Sequence, residues 1–339
     1  MESLGAVLST TNPYIVQLID SLHERSDVEI HLFSFRRAIF GRYDVLHIHW
    51  PEVTIGGHRP LGRLARRTLT TAMVLRLALT RTVIVRTWHN TDRPAGLSRW
   101  DQALLDAIDR LTVAVIRLND HTPVPLDCPT RTIRHGHYRD WYAGHRVAVG
   151  RHSRRLLYFG LVRKYKGIDG LLKLAADKRD LDVELRFVGA PSDKELGELI
   201  RMRAARDHRI SYLLEYVDDA TLAREILQSS LVVLPYREMH NSGAVLLALS
   251  LDTPVLVPEN PVTRELAAEV GPGWVHMFRG DLTMHDIRAA LVRAQNRTLN
   301  SRPNLDARSW SEAGKAHAAV FRAALRRDSA AEVPNLDAP

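Results

Sequence analysis

One stretch restricts what this chain can fold into more than any other: LVVLPYREMHNSGAVLLALSLDTPVLVP, residues 231–258. It opens with an uninterrupted apolar run, Leu231–Leu234, of the kind that a strand buried on both faces requires. Pro235 to Ser242 form a polar loop, and Gly243 opens a helical run that Asp252-Thr253-Pro254 stops. Val255–Val257 then start the next strand. Strand, loop, helix and strand make one parallel crossover unit, and its loop lies at the carboxyl end of a strand, where open α/β sheets bind ligands. The helix start at Asn241-Ser242-Gly243 offers backbone N–H groups and a positive dipole end, which suit a phosphate. An ordinary capped helix in an α/β core would show the same local pattern.

The rest of the chain repeats this alternation. Residues 3–9 read as a short apolar strand, and Pro13 starts a helix capped by Asn12 or Thr11. Strands are expected at 28–33, 45–49, 82–86, 111–118 and 131–134, with an arginine-rich helix near 59–81 and another at 100–110. Residues 136–153 lose all periodicity and read as a linker. A second series follows, with strands at 155–159, 183–188, 210–216 and the opening stretch, separated by helices. The expected fold is α/β, two Rossmann-like doubly wound domains facing a cleft, at 1–145 and 146–310. A helix at 311–327 and a polar, disordered tail at 328–339 follow.

Composition narrows the partners. A net charge of +8 and a pI near 9.8 favour an anionic ligand or surface. No acid lies between Glu52 and Asp92, whereas Arg59, Arg63, Arg66, Arg67, Arg76, Arg81 and Arg86 do. Leu61, Leu64, Ala65, Leu69 and Met73 interleave with them at helical spacing. Docking on an anionic membrane and a solvated face of an arginine-rich protein are both open readings. No nucleic-acid motif accompanies the charge. Cys128 is the only cysteine, which excludes an internal disulfide and a cysteine-based zinc site. No signal-peptide pattern and no apolar run of spanning length are present, so the expected location is cytoplasmic, peripheral on the inner membrane face.

No glycine triplet opens the first helix of either half, and no phosphate-binding P-loop occurs. What remains is a set of strand ends rich in cations and small polar groups: Arg163, Lys164 and Lys166, then Gly189, then Asp218, then Glu238 to Gly243. Parallel strands share one carboxyl edge, so these groups point the same way. In the first half, His47 and His49 alternate along one strand and point to one face. A metal role for that pair lacks a third ligand in the sequence.

In order, LLYFGLVRKYKGIDGLLKLA, FVGAP, EYVDDATLAREILQSSLVVLPY and SGAVLLALSLDTPVLVP resemble the second domain of GT-B glycosyltransferases, in particular family-4-like bacterial exopolysaccharide enzymes. YDVLHIHWPE, VRTWHNTDRP and IRHGHYRDWY resemble the first domain, so the likeness extends to about Trp310. The resemblance implies a metal-independent hexosyltransferase with no cofactor. Its donor is a nucleotide-diphosphate sugar and its acceptor a saccharide or lipid-linked saccharide, in polysaccharide synthesis. A GT-B epimerase and a non-catalytic nucleotide-sugar-binding protein are the alternatives. The resemblance implies donor binding by Arg163, Lys166, Gly189, Tyr216, Val217, Asn241, Ser242, Gly243 and Ala244, and an acceptor side at Thr11, Asn12 and Tyr14. Its catalytic candidates are His89, Glu238, Asp92 and Glu52, the last two as bases if transfer inverts. The family carries two glutamates eight positions apart, the second on the donor ribose. Glu238 takes the first place here, but Leu246 stands at the second.

Overall fold

The computed structural model describes residues 1–8, 11–56, 59–89, 93–94, 96–163, 166–176, 183–237, 239–296 and 301–326. The chain forms two compact units, Met1–Gly136 with Arg308–Pro339, and His137–Ala307.

In the first unit the described elements are α1 (Pro13–His23), α2 (Phe35–Phe40), β1 (Val45–Ile48), α3 (Glu52–Ile55), α4 (Pro60–Leu79), β2 (Val83–Trp88), α5 (Arg99–Leu111), β3 (Thr112–Arg117) and β4 (Thr130–Thr132). The sheet is parallel, in the order β1-β2-β3-β4. Two expected strands are not formed as such. In place of 3–9 and 28–33, Glu2 alone bridges His47 on one side and Leu32 on the other. Apolar content misled here: Val7 and Leu8 face solvent, and among the described residues strand-like backbone pairing in this segment runs from Met1 to Leu4.

Asn12 caps α1 by accepting from the Tyr14 amide at 3.1 Å, with Pro13 in the first turn. Ile15, Leu18, Ile19 and Leu22 are buried at spacings of three and four. They share one core with Trp310, Ala318 and Phe321, which belong to a helix near the end of the chain, Trp310–Arg326. A side chain at Gly314 would start 2.8 Å from the Ser21 carbonyl oxygen, so that helix approaches α1 at backbone distance. Burying each large aliphatic of this seam contributes about 1.5–3 kcal/mol.

The second unit holds β5 (His152–Phe159), α6 (Ile168–Ala176), β6 (Glu184–Val188), α7 (Lys194–Arg206), β7 (Ile210–Leu213), α8 (Asp219–Leu227), β8 (Ser229–Val233), α9 (Gly243–Ser250), β9 (Val255–Pro258), α10 (Pro261–Val270), β10 (Val275–Phe278) and α11 (Met284–Gln295); the helix Trp310–Arg326, of the first unit, is then α12. Its sheet is parallel in the order β10-β9-β8-β5-β6-β7. The stretch at 231–258 supplies β8, α9 and β9, as its pattern requires. β10 and its flanking helices, which the sequence reading did not separate, widen this sheet to six strands. The supposed linker is ordered over 137–145. Tyr138 and Tyr142 are buried in the core of this unit, and Trp141 Nε1 and Tyr142 OH both donate to Asp219 at 2.8 Å. Aromatic side chains hold that segment without helical or strand periodicity.

Candidate functional site

In the second unit, glycine brings three strand ends together. Gly160 follows β5 with φ +100°, and Gly189 follows β6 with φ +132°. A Cβ at Gly189 would stand 2.1 Å from the Gly160 carbonyl oxygen, and one at Gly167 (φ +72°) only 1.8 Å from that of Pro235. No other residue fits either position. Lys166, one residue before that contact, places Nζ 4.8 Å from the ring centroid of Tyr236. Burial, and then the neighbouring Arg163 guanidinium, lower the Lys166 ammonium to about 8. A cation with so little hydration gains when an anion arrives. The same β8–α9 loop leads into α9, where Ser242 accepts from the Val245 amide at 3.4 Å and Asn241 to Ala244 are half-buried. First-turn amides therefore stand beyond a neutral cap.

Other donor-side candidates have visible local duties. Asp218 caps α8 by accepting from the Thr221 amide at 2.7 Å, Val217 is half-buried, and Tyr216 is 70% exposed. Leu246 is 4% exposed inside the apolar core. A carboxylate there would be buried, so this position is structural in the present chain. Glu238 and Lys164 lie outside the described residues.

In the first unit, Glu2, His47 and His49 are buried side by side. His47 Nδ1 lies 2.6 Å from Glu2 Oε1, and His49 Nε2 lies 3.2 Å from Oε2. Thr87 Oγ1 is 2.8 Å from His47 Nε2, and His89 Nε2 is 2.9 Å from His49 Nδ1. Burial works to raise the Glu2 carboxyl, but the His47 and His49 rings beside it hold it well below the usual carboxylate range. Burial, then the His47 ring, lowers His49 to about 4. Burial, then the surrounding histidines, takes His89 well below its ordinary value. Trp50 stacks on the His89 ring at 4.3 Å, and Tyr14 meets it edge-on at 5.3 Å. The third partner that the His47–His49 pair lacked is thus Glu2, 45 residues away from His47. Neither Glu2 nor Trp50 carries a local signal that would have singled it out.

His89, Trp50 and Glu52 line a cavity of about 330 Å³ with Arg86, Trp88, Arg93 and Asp109. Arg86 and Arg93 both pair with Asp109, and the Arg86 guanidinium lies 4.5 Å from the Trp88 ring centroid. Among the described residues, Trp88 Nε1 and Arg86 Nε are buried without a hydrogen-bond partner. The acceptor-side candidates sit differently: Tyr14 is in the core, Asn12 caps α1, and Thr11 Oγ1 accepts from the Leu8 amide at 2.8 Å. Asp92 and Thr10 lie outside the described residues. On α4, Leu61 and Leu79 are 82% and 86% exposed, and Arg63 and Arg66 are also exposed, as are Arg59 just before the helix and Arg81 just after it. Arg67 instead binds Asp101, and Arg76 covers Tyr43, which explains why part of the charge run is internal.

Comparison with known proteins bears on the family and the fold. The family described as "Glycosyl transferases group 1" matches residues 153–293. A GDP-mannose:glycolipid 4-beta-D-mannosyltransferase of Xanthomonas campestris pv. campestris is 41% identical over 320 residues, covering 94% of this chain and 90% of the relative. Among solved structures, Anabaena HepE in complex with UDP superposes with a TM-score of 0.56 at 13% identity, over 96% of both chains. AviGT4, a glycosyltransferase involved in avilamycin A biosynthesis, gives 0.54 at 16% identity, over 96% of this chain and 97% of its own. These two share the GT-B fold with the present chain. With two parallel α/β units and close similarity along nearly its full length, the chain belongs to the group 1 glycosyltransferases.

Proposed function

We propose that this glycosyltransferase moves mannose from GDP-mannose to a hydroxyl of a glycolipid acceptor, forming a β-linkage without a bound metal. The observation that carries the donor and acceptor is the 41% identity to a mannosyltransferase with that name over 94% of the chain. GDP-mannose holds its sugar in the α configuration, so a β product requires inversion in one displacement. The acceptor oxygen attacks the anomeric carbon while the bond to the β-phosphate breaks and its electron pair leaves with GDP. Two demands follow: charge developing on the diphosphate must be met, and the acceptor proton must be taken.

Arg163, Lys166 and the amides at Ser242 and Gly243 meet the charge, with Gly189 leaving room at the neighbouring strand end. Tyr216 and Val217 border the base, and Glu238 takes the place of the first family glutamate. His89 takes the proton, neutral at pH 7 because its pKa is depressed. Glu52, on the same cavity, orients the acceptor, a role that Asp92 shares in this proposal. Exposed leucines and arginines of α4 dock the enzyme on anionic lipid, where a glycolipid resides. Among the described residues no helix is long and apolar enough to cross a membrane.

The test is thermal stabilisation by GDP-mannose against UDP-, ADP- and CMP-sugars, followed by transfer to lipid-linked saccharide in EDTA. Selective stabilisation by GDP-mannose with transfer in the chelator is expected. Selective stabilisation by another nucleotide sugar overturns the donor, and loss of transfer in EDTA overturns the metal-free mechanism. Turnover of the donor sugar without any acceptor would point to the epimerase class instead.

A further inference from the structure

We infer that Glu2 and His49 are positioning residues that act through His89: together they form a buried carboxylate–imidazole–imidazole chain that fixes the proton on His89 Nε2 and leaves Nδ1 as its basic nitrogen. This deepens the proposed role of His89 and rests on it.

The proton order follows from donor chemistry. An ionised carboxylate only accepts, so the contacts at 2.6 and 3.2 Å require N–H at His47 Nδ1 and His49 Nε2. A neutral imidazole carries one N–H. His49 Nδ1 must therefore accept, and across 2.9 Å the donor is His89 Nε2–H. His47 Nε2 likewise accepts from the Thr87 hydroxyl at 2.8 Å. These four contacts are all met by this one assignment. As His89 Nδ1 takes the acceptor proton, positive charge develops on its ring, and Glu2 meets that charge through the neutral His49 ring between them. Burial excludes water, so the carboxylate is not screened. Glu2 therefore does for a two-imidazole chain what a buried acid does for a single catalytic histidine.

A bound cation is the competing use of Glu2, His47 and His49, whose ligand atoms lie within 4.8 Å of one another. The spacing favours protons. Nitrogen and oxygen ligands of one tetrahedral zinc ion sit ~3.3 Å apart, whereas His47 Nδ1 and Glu2 Oε1 are 2.6 Å apart, a hydrogen-bond distance. Thr87 and His89 also occupy the remaining nitrogens of the two rings.

The experiment compares Glu2→Gln, Glu2→Asp, His49→Gln and His89→Ala, alone and in the double variant Glu2→Gln/His89→Ala, with kcat and donor KM measured on folded protein. Glu2→Gln and His49→Gln are expected to lower kcat by about 10²–10³-fold with donor KM nearly unchanged. Glu2→Asp should recover part of the loss, and the double variant should be no slower than His89→Ala. In the wild type, ¹⁵N resonances of the ring nitrogens should report N–H at Nε2 of His49 and His89 and at Nδ1 of His47. Multiplicative losses in the double variant, the Nδ1–H tautomer at His89, or stoichiometric zinc in the purified protein overturns the chain. If His89→Ala keeps wild-type kcat, the role of His89 itself falls. If His89→Ala is inactive while Glu2→Gln and His49→Gln are not, only the chain falls. The resonances decide the matter even where a substitution at Glu2 prevents folding.

Discussion

Both units are parallel sheets that gather functional groups at strand ends, but they do so with opposite materials. The second unit uses absence: Gly167 and Gly189 carry no side chain, so that strand ends touch, and the under-solvated Lys166 with the neighbouring Arg163 supplies the charge. The first unit uses presence, filling its sheet end with a carboxylate, imidazoles and a hydroxyl whose hydrogen bonds depend on one another. A site made from glycine and cations tolerates any anion of the right size. A site made from linked proton donors and acceptors tolerates only one protonation pattern. The first is suited to holding a diphosphate, the second to moving a proton.

The largest expected effect falls on chemistry. Lys166→Ala should lower the transfer rate by about 10²–10³-fold, the scale of removing one preorganised charge-stabilising donor, while the melting temperature stays near that of the wild type. Rates within threefold of wild type would remove Lys166 from the diphosphate site. Next comes packing: Gly189→Ala should destabilise the protein by about 3 kcal/mol or more, because the new Cβ meets the Gly160 carbonyl at an unfavourable φ. Urea unfolding measures it, and a cost under 1 kcal/mol would mean that these strand ends are not in contact. Leu246→Glu places a glutamate where the sequence resemblance implies one, yet it should cost about 3 kcal/mol and leave donor affinity unimproved, since the site is core. Tighter donor binding in that variant would show that the helix can turn this residue outward.

Acid should act through the first unit. His49 and His135, both lowered to about 4, and His317, lowered to about 3, bind protons more weakly folded than unfolded. Burial is the leading cause for each. The unfolded chain therefore takes up more protons as pH falls below its ordinary histidine value near 6.5, so stability is full above that pH and declines from there toward about 4. Each such ring contributes up to about 1.4 kcal/mol per pH unit within that window. Urea midpoints flat between pH 7 and 5 would show that these rings are charged in the fold. The smallest effect is at the surface: Arg59→Ser and Arg63→Ser should each weaken binding to phosphatidylserine vesicles by about 1 kcal/mol at low salt. Vesicle binding indifferent to both substitutions would take α4 out of the membrane contact.

The same contrast decided what the sequence made legible. In the second unit, apolar runs ended by glycine or a polar loop mark strands, and Lys166-Gly167 and Ser242-Gly243 sit within ten residues of the strands they serve. Local signals suffice there, and β5, β6, β8, α9 and β9 emerged close to their observed limits. In the first unit, His47, His49 and His89 were visible as strand residues, but their order depends on Glu2, which lies 45 and 47 residues from the rings it contacts. A one-residue bridge has no period to detect, and the exposed run after it imitated a strand. Tyr138 and Tyr142 were missed for a related reason: anchoring by isolated aromatics leaves no repeat.

The helix α12 carries a consequence for biosynthesis. It follows the second unit in the chain but completes the core of the first, where Trp310 and Phe321 cover residues of α1 made some three hundred positions earlier. On the ribosome the order of synthesis is therefore not the order of completion. The second unit has all its strands once residue 278 has emerged, whereas α1 must wait with its apolar face uncovered. A chain stopped at residue 307 should still form the six-stranded sheet, yet bind a hydrophobic dye through that uncovered face. Equal dye binding by the full and the shortened chain would show that α1 finds another cover.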